Sequence, residues 1–122
     1  MTTIREARPS DRAAVRNVID GADLELDSDR LGAALTAGEV LVATGDETGQ
    51  PLGALVLDGD RVVAVAVRRR RRGQGIGTAL VEAAAERRDR LLAEFDPAVR
   101  PFWASLGFRI AAAADGRLHG VR

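Results

Sequence analysis

The stretch VAVRRRRRGQGIGTAL, residues 65–80, sets an apolar run against five consecutive arginines and three glycines at alternate positions, Gly73, Gly75 and Gly77. The apolar run reads as an extended strand and the Ala/Leu/Val segment that follows as a helix, so the glycines form a strand-to-helix loop. Such a loop suits a phosphate. Glycines lack a Cβ and let the backbone approach an anion closely, and successive N–H groups converge on it. A helix starting near Gly75 points its positive end at the same place. Two familiar versions fail here. The dinucleotide fingerprint G-x-G-x-x-G would need glycine at Thr78 or Leu80, and the P-loop needs a lysine that the chain lacks. What remains is R/Q-x-x-G-x-G/A, met by Arg72, Gly75 and Gly77 with Gly73 and Gln74 between them. Arg72 can add a charge-assisted contact. The bland alternative is a plain turn, but three glycines carry an entropic cost that a turn alone does not require.

Working outward, the segments on both sides alternate between strand and helix patterns. TIREA reads as a first strand. Ser10 can cap a helix over 11–20, where Val15, Val18, Ile19 and Ala22 follow helical spacing. A second helix is expected over 28–37, with Leu31, Ala34 and Leu35 inward and Gly38 as its stop. EVLVAT, LGALVL and RVVAVAV read as a meander of three strands, joined by the turns GDETGQP and DGD. The glycine loop opens a helix over 75–89, and RLLAEF is a buried strand. Asp96 and Pro97 start a helix over 97–106 whose face carries Val99, Phe102, Trp103 and Leu106. FRIAAA and RLHGV form two last strands around the turn Asp115-Gly116. The order β-α-α-β-β-β-α-β-α-β-β implies an α/β protein with a mixed sheet.

Length and composition bound the function. The chain has 122 residues, the size of one domain spanning 1–122, and 46% apolar residues, as a globular protein has. No apolar run approaches the roughly 20 residues of a membrane-spanning helix. The polar start MTTIREARPSD does not read as a signal peptide, so none is expected. Cysteine is absent, which excludes disulfides, thiol catalysis and cysteine-ligated metals. A cytoplasmic protein without a membrane partner is expected. All 18 basic residues are arginine and formal net charge is zero. That balance, with no aromatics interleaved in the arginine run and no reader motif, argues against a nucleic-acid partner. A calcium loop starting at Asp27 fails at Leu31 and Gly38, where ligands are needed.

With these motifs in hand, VAVRRRRRGQGIGTALV resembles the acetyl-coenzyme A motif of the GNAT N-acetyltransferase family, and FDPAVRPFWASLGF is similar to the family's later helix ending in LGF. The element order agrees, so the resemblance covers essentially the whole chain. It implies the GNAT fold, a mixed central β-sheet flanked by helices, with acetyl-CoA as co-substrate and no metal. It further implies that the backbones of Val65, Ala66 and Val67 pair with the pantetheine arm as an added strand would. Arg72, Gly73, Gln74, Gly75, Ile76, Gly77 and Thr78 then hold the pyrophosphate. Arg68 to Arg71 occupy positions that vary in the family. They read either as contacts to the 3′-phosphate or as a solvated basic loop.

The resemblance also implies a reaction: direct attack by an amine on the thioester in a ternary complex. An N–H of the strand near Val65 to Val67 stabilises the oxyanion. A base takes the amine proton. Glu94, the one acid in the apolar strand LLAEF, is the candidate, since desolvation there would suit a base. It reads equally as a surface glutamate paired with an arginine. The family's acid is often a tyrosine of the LGF helix; here Trp103 stands in its place and the chain has no tyrosine. Ser105 is the nearest hydroxyl, with nothing in the sequence that demands its use. Asp96, where the family often has a cofactor-contacting Asn, caps its helix, and His119 is left without a role. The acidic segment with Asp20, Asp23, Glu25, Asp27 and Asp29 reads either as a lip that attracts a cationic amine or as a solvated helix connection. The expected function is N-acetyl transfer to an amine of a small molecule or peptide whose identity the sequence leaves open. The alternative is a non-catalytic acetyl-CoA-binding sensor. Family members often form homodimers, so a second copy is the further partner implied.

Overall fold

The structure, a computed structural model, describes residues 2–21, 26–45 and 49–122. Its strands are β1 (Thr3–Glu6), β2 (Val40–Thr44), β3 (Pro51–Asp58), β4 (Arg61–Val67), β5 (Leu92–Phe95), β6 (Arg109–Ala112) and β7 (Leu118–Val121). Its helices are α1 (Arg12–Gly21), α2 (Ser28–Thr36), α3 (Ile76–Arg87) and α4 (Arg100–Ser105). One mixed sheet runs in the order β1-β2-β3-β4-β5-β7-β6. Only β4 and β5, among the described pairs, are parallel; the rest are antiparallel.

Side-chain alternation divides the core into two layers, one on each face of the sheet. Val40, Val42, Ala54, Val56, Ala64 and Ala66 pack with Val15, Val18, Ile19, Leu31, Ala34 and Leu35 of α1 and α2. Leu41, Leu55, Leu57 and Val62 pack with Ile76, Leu80, Val81 and Ala84 of α3 and with Trp103 and Leu106. The expected inward residues of the first two helices are thus the buried ones, save Ala22, which lies outside the described residues. Gly38 stops the second helix at φ +72°. Gly53 lets α3 approach β3: a Cβ there would stand 3.0 Å from the Ala66 carbonyl oxygen and 3.0 Å from Ile76 Cγ2.

Strand β4 carries one residue more than its partner. Val56 pairs with Ala64, but Leu57 pairs with Val62, so Val63 is a bulge. The extra residue reverses the alternation. Val62 belongs to the α3 layer, whereas Ala64, two positions on, belongs to the α1/α2 layer.

Two local expectations are corrected. Ser10 is not the cap of the first helix. A 3-10 turn over Pro9–Asp11 precedes it, and the Asp11 carboxylate accepts the Arg8 N–H at 2.7 Å. The helix expected over 97–106 is instead a 3-10 turn, Pro97–Val99, followed by α4 from Arg100. Pro101 is the cause: it has no N–H to donate and its ring would collide with the carbonyl four residues back, so a continuous helix breaks. Val99 consequently leaves the helix face and is 45% exposed. Asp96 does cap this turn, accepting from the Ala98 N–H at 2.8 Å. The Asp115-Gly116 turn is present, with both residues in the left-handed region.

Two stability outcomes follow from these contacts. Arg5 donates both terminal nitrogens to Asp11, at 2.7 and 3.2 Å, and this hydrogen bonding lowers the carboxyl's pKa. The stabilisation is therefore complete above about pH 4, the range of an unfolded Asp, and is lost as pH falls through the lowered folded value. Asp11→Ala should cost about 1 kcal/mol near neutrality by urea unfolding, and that gap should close in acid. Gly53→Ala should cost about 1–3 kcal/mol at all pH values, because the carbonyl that crowds the new methyl belongs to the sheet backbone.

Candidate active site

The site follows from the bulge. β4 and β5 pair over only two positions, Arg61 with Leu92 and Val62 with Ala93. Past Val63 the two strands part, although β4 continues to Val67 and β5 to Phe95. The fork opens a cleft of about 410 Å³. Val62 to Val65 line one wall, Glu94 and Phe95 the other, and Val99, Phe102 and Trp103 close one end. The exposure of Val99 is on this wall.

Backbone groups face the gap. The Arg68 N–H donates to the Leu52 carbonyl at 2.8 Å, so Arg68 and Ala66 turn their polar groups toward β3. By strand alternation, Val65 and Val67 turn theirs the other way, where β5 no longer pairs. The Val67 carbonyl is met by Arg72 Nε at 3.1 Å. Arg72 thereby ties the arginine loop back to the end of β4.

The glycine loop borders the upper end of the fork. Arg69–Arg71 form a 3-10 turn, and Gly73 and Gly75 take φ of +78° and +81°, a region that side chains rarely adopt. Gly75 precedes α3, and no side chain caps that helix. The first helical bond runs from the Ala79 N–H to the Gly75 carbonyl at 3.0 Å. The N–H groups of Ile76, Gly77 and Thr78 therefore lie in the first turn, where no intrahelical acceptor exists. Nothing stands within 4 Å of a Cβ built on Gly73 or Gly75. Gly77 differs: a Cβ there would lie 3.3 Å from the Phe102 ring. Its small size serves the packing of α3 against α4.

The acid singled out from the sequence does line the cleft, but not in an apolar setting. Glu94 is about half exposed and accepts Arg117 Nε at 3.1 Å, while another Arg117 nitrogen reaches the Glu94 carbonyl at 3.1 Å. Trp103 is a core residue at 5% exposure. It stacks on Phe95 with centroids 5.3 Å apart and meets Phe102 and Phe108 edge to face at 5.1 and 5.0 Å. Ser105 Oγ is spent on the Phe102 carbonyl at 2.7 Å. Arg68 to Arg71 lie apart from this cleft, in a second hollow against Asn17, Val18 and Gly21 of α1. Of the acidic segment, Asp27 accepts the Arg30 N–H at 2.7 Å as the cap of α2, and Asp20 stands 3.7 Å from Arg16. Asp23 and Glu25 lie outside the described residues.

The alternative reading of Glu94, a glutamate paired with an arginine, is the one its contacts show, but which arginine, and His119 beside it, was not legible in the sequence. The β5/β7 register sets His119 directly opposite it, and the same pairing delivers Arg117. No local signal marks either, because both depend on pairing between segments some twenty residues apart. Among the described residues no group of three or more His, Asp or Glu is arranged to hold a metal ion, and no helix is long and apolar enough to cross a membrane.

Comparison with known proteins agrees with this architecture. N-acetylglutamate synthase from Neisseria gonorrhoeae, solved with coenzyme A and N-acetyl-glutamate, superposes with a TM-score of 0.77 at 18% identity. The match covers all of this chain but 35% of that one, so the chain spans about a third of that enzyme. A Mycobacterium tuberculosis protein solved with CoA gives 0.82 at 21% identity, covering 98% of this chain and 97% of that one. The PaiA N-acetyltransferase from Thermoplasma acidophilum, solved with coenzyme A, gives 0.81 at 11% identity, covering 100% and 98%. No curated protein sequence matches the chain. The family model for the acetyltransferase (GNAT) domain matches residues 36–110, a span from the end of α2 to β6 that contains both the fork and the glycine loop. The chain belongs to the GNAT acetyltransferase family.

Proposed function

We propose that residues 1–122 form one acyltransferase domain that moves an acetyl group from acetyl-CoA to the amine of an acceptor in a ternary complex. The observation that carries this reading is the fork, where backbone N–H and C=O groups of β4 face a cleft that β5 leaves unpaired. The residues present fit a coenzyme A. Val65 and Val67, with Ala66 between them, supply the edge for the pantetheine arm, and the loop from Arg72 to Thr78 supplies the first-turn N–H groups of Ile76, Gly77 and Thr78 and the open space over Gly73 and Gly75. Neighbours solved with coenzyme A support the same assignment.

Acetyl-CoA brings a thioester whose acetyl carbon an amine can attack. The chain's part is electrostatic and positional. An N–H of Val65 or Val67 donates to the carbonyl oxygen as negative charge builds there, in a partly desolvated cleft. Glu94 takes the amine proton, exchanging its contact with Arg117 as it does so. A thiol with a pKa of about 8.5 can leave as thiolate, so the want of a tyrosine at Trp103 does not stop the reaction. That same want favours a second reading. Trp103 is locked among aromatics and its indole is not an ordinary acid, which is what a non-catalytic acetyl-CoA-binding sensor would show. Thiol release with a panel of amines separates the two.

Gly75→Val should raise the Kd for acetyl-CoA at least tenfold by calorimetry, with circular dichroism and melting as the control for the strain of a side chain at φ +81°. Unchanged affinity in a folded variant would overturn the cradle. Gly75 is the cleaner test, because Gly77 also packs on Phe102. Glu94→Gln should lower kcat by about 100-fold or more and flatten its pH profile, with little change in the KM for acetyl-CoA. A wild-type rate and profile would remove Glu94 from the proton path.

A further inference from the structure

A smaller cavity of about 190 Å³ lies at the foot of the fork, lined by Arg30 of α2, Arg61, Val62 and Val63 of β4, Glu94 of β5, and Arg117. It opens on the α1/α2 side of the sheet, since Ala93 and Phe95 turn toward the α3 layer and Glu94 between them turns away. Val62, Val63, Glu94 and Arg117 also line the main cleft, so the two hollows share those walls.

The charge on this lining is unbalanced. Three arginines and one carboxylate line it, and Asp58, which the β3/β4 register sets opposite Arg61, stands just outside. Glu94 is engaged by Arg117 alone, and Arg30 reaches Asp58, an exposed residue outside the lining, at 3.4 Å. The Arg61 guanidinium has no hydrogen bond or ion pair among the described residues, although it stands where the sheet and α2 converge. A concave surface with excess positive charge concentrates anions, and a guanidinium matches a carboxylate with two parallel N–H bonds. The acidic segment that the sequence offered as an acceptor lip points to a cationic partner; the described walls next to Glu94 carry the opposite sign.

We propose that the acceptor bears a carboxylate a few bonds from its amine, as a free amino acid does, and that this carboxylate docks on Arg61 and Arg117 in the smaller cavity. The proposal rests on the acetyl-transfer reading. Because Glu94 and Arg117 line both hollows, a carboxylate held by Arg117 leaves the neutral amine beside Glu94. The amine nitrogen then bonds the acetyl carbon, the carbon–sulfur bond breaks, the sulfur leaves as thiolate, and the surplus amine proton passes to Glu94. Docking also answers how Glu94 is freed: the incoming carboxylate replaces it as the partner of Arg117.

The test pairs acceptors that differ only in the charge. Free amino acids and the matching amino-acid amides are offered with acetyl-CoA, and released thiol is followed. Several acids should react at least tenfold better in kcat/KM than their amides. Arg61→Ala should raise the KM of the best acid about tenfold, leave the KM for acetyl-CoA unchanged, and narrow the gap to the amide; Arg61→Lys should recover part of the loss. Amides that match or outrun the acids, or an Arg61→Ala enzyme with its preference intact, would overturn the carboxylate site and leave acetyl transfer standing. If no amine of either kind releases thiol, the transfer reading fails instead. Calorimetry with N-acetylglycine and N-acetylglycinamide then decides the anion site alone. Binding of the acid only, lost in Arg61→Ala, supports it; equal binding or none refutes it.

Discussion

One inserted residue governs the geometry of this protein. The bulge at Val63 kinks β4 just after its second pairing with β5 and exchanges the two faces of the strand. Had the alternation continued unbroken, β4 and β5 could have zipped along their full lengths, as buried parallel neighbours do. The fork, the backbone groups that face it, and the cavity at its foot all descend from that interruption. It is affordable because Ala64 and Ala66 still find the α1/α2 layer and Val65 and Val67 still pack against the α3 layer. Burial is redistributed between the layers and little of it is lost.

The glycine loop shows how one motif serves two masters. Gly73 and Gly75 hold a backbone shape that other residues resist and stand in open space. Gly77 sits inside the first turn of α3 and yields room to a ring on α4. The motif therefore joins a surface suited to phosphate with the wall of the cleft. The arginine run divides in the same manner. Arg72 is turned back on the Val67 carbonyl and Arg68 on the Pro51 carbonyl at 2.9 Å, both fastening the loop to strand ends.

Most of the fold could be read from the chain because its signals are short-range. The apolar, valine-rich run RVVAVAV, the cap at Asp96, the stop at Gly38 and the turn at Asp115-Gly116 each act over a few residues. The errors arose where two local rules competed. Pro101 overrode the apolar spacing that suggested one helix from 97, and Asp11 rather than Ser10 satisfied the chain before α1. The site was legible in halves. Its glycine side is a sequence motif. Its other side, where Arg30, Arg61, Arg117 and His119 gather about Glu94, is made by strand order and register, and the bulge at Val63 is hidden in a run of uniformly apolar residues. Arginine is also so frequent here that no single one stands out by type.

The aromatic cluster has a practical corollary. Trp103 is the only tryptophan, the chain has no tyrosine, and the indole borders the cleft between Phe95 and Phe102. Its fluorescence is thus uncontaminated by any other strong emitter, and it lines the main cleft, where an entering molecule changes the polarity around it. The aromatic cluster thereby equips the protein with an intrinsic optical gauge of cleft occupancy.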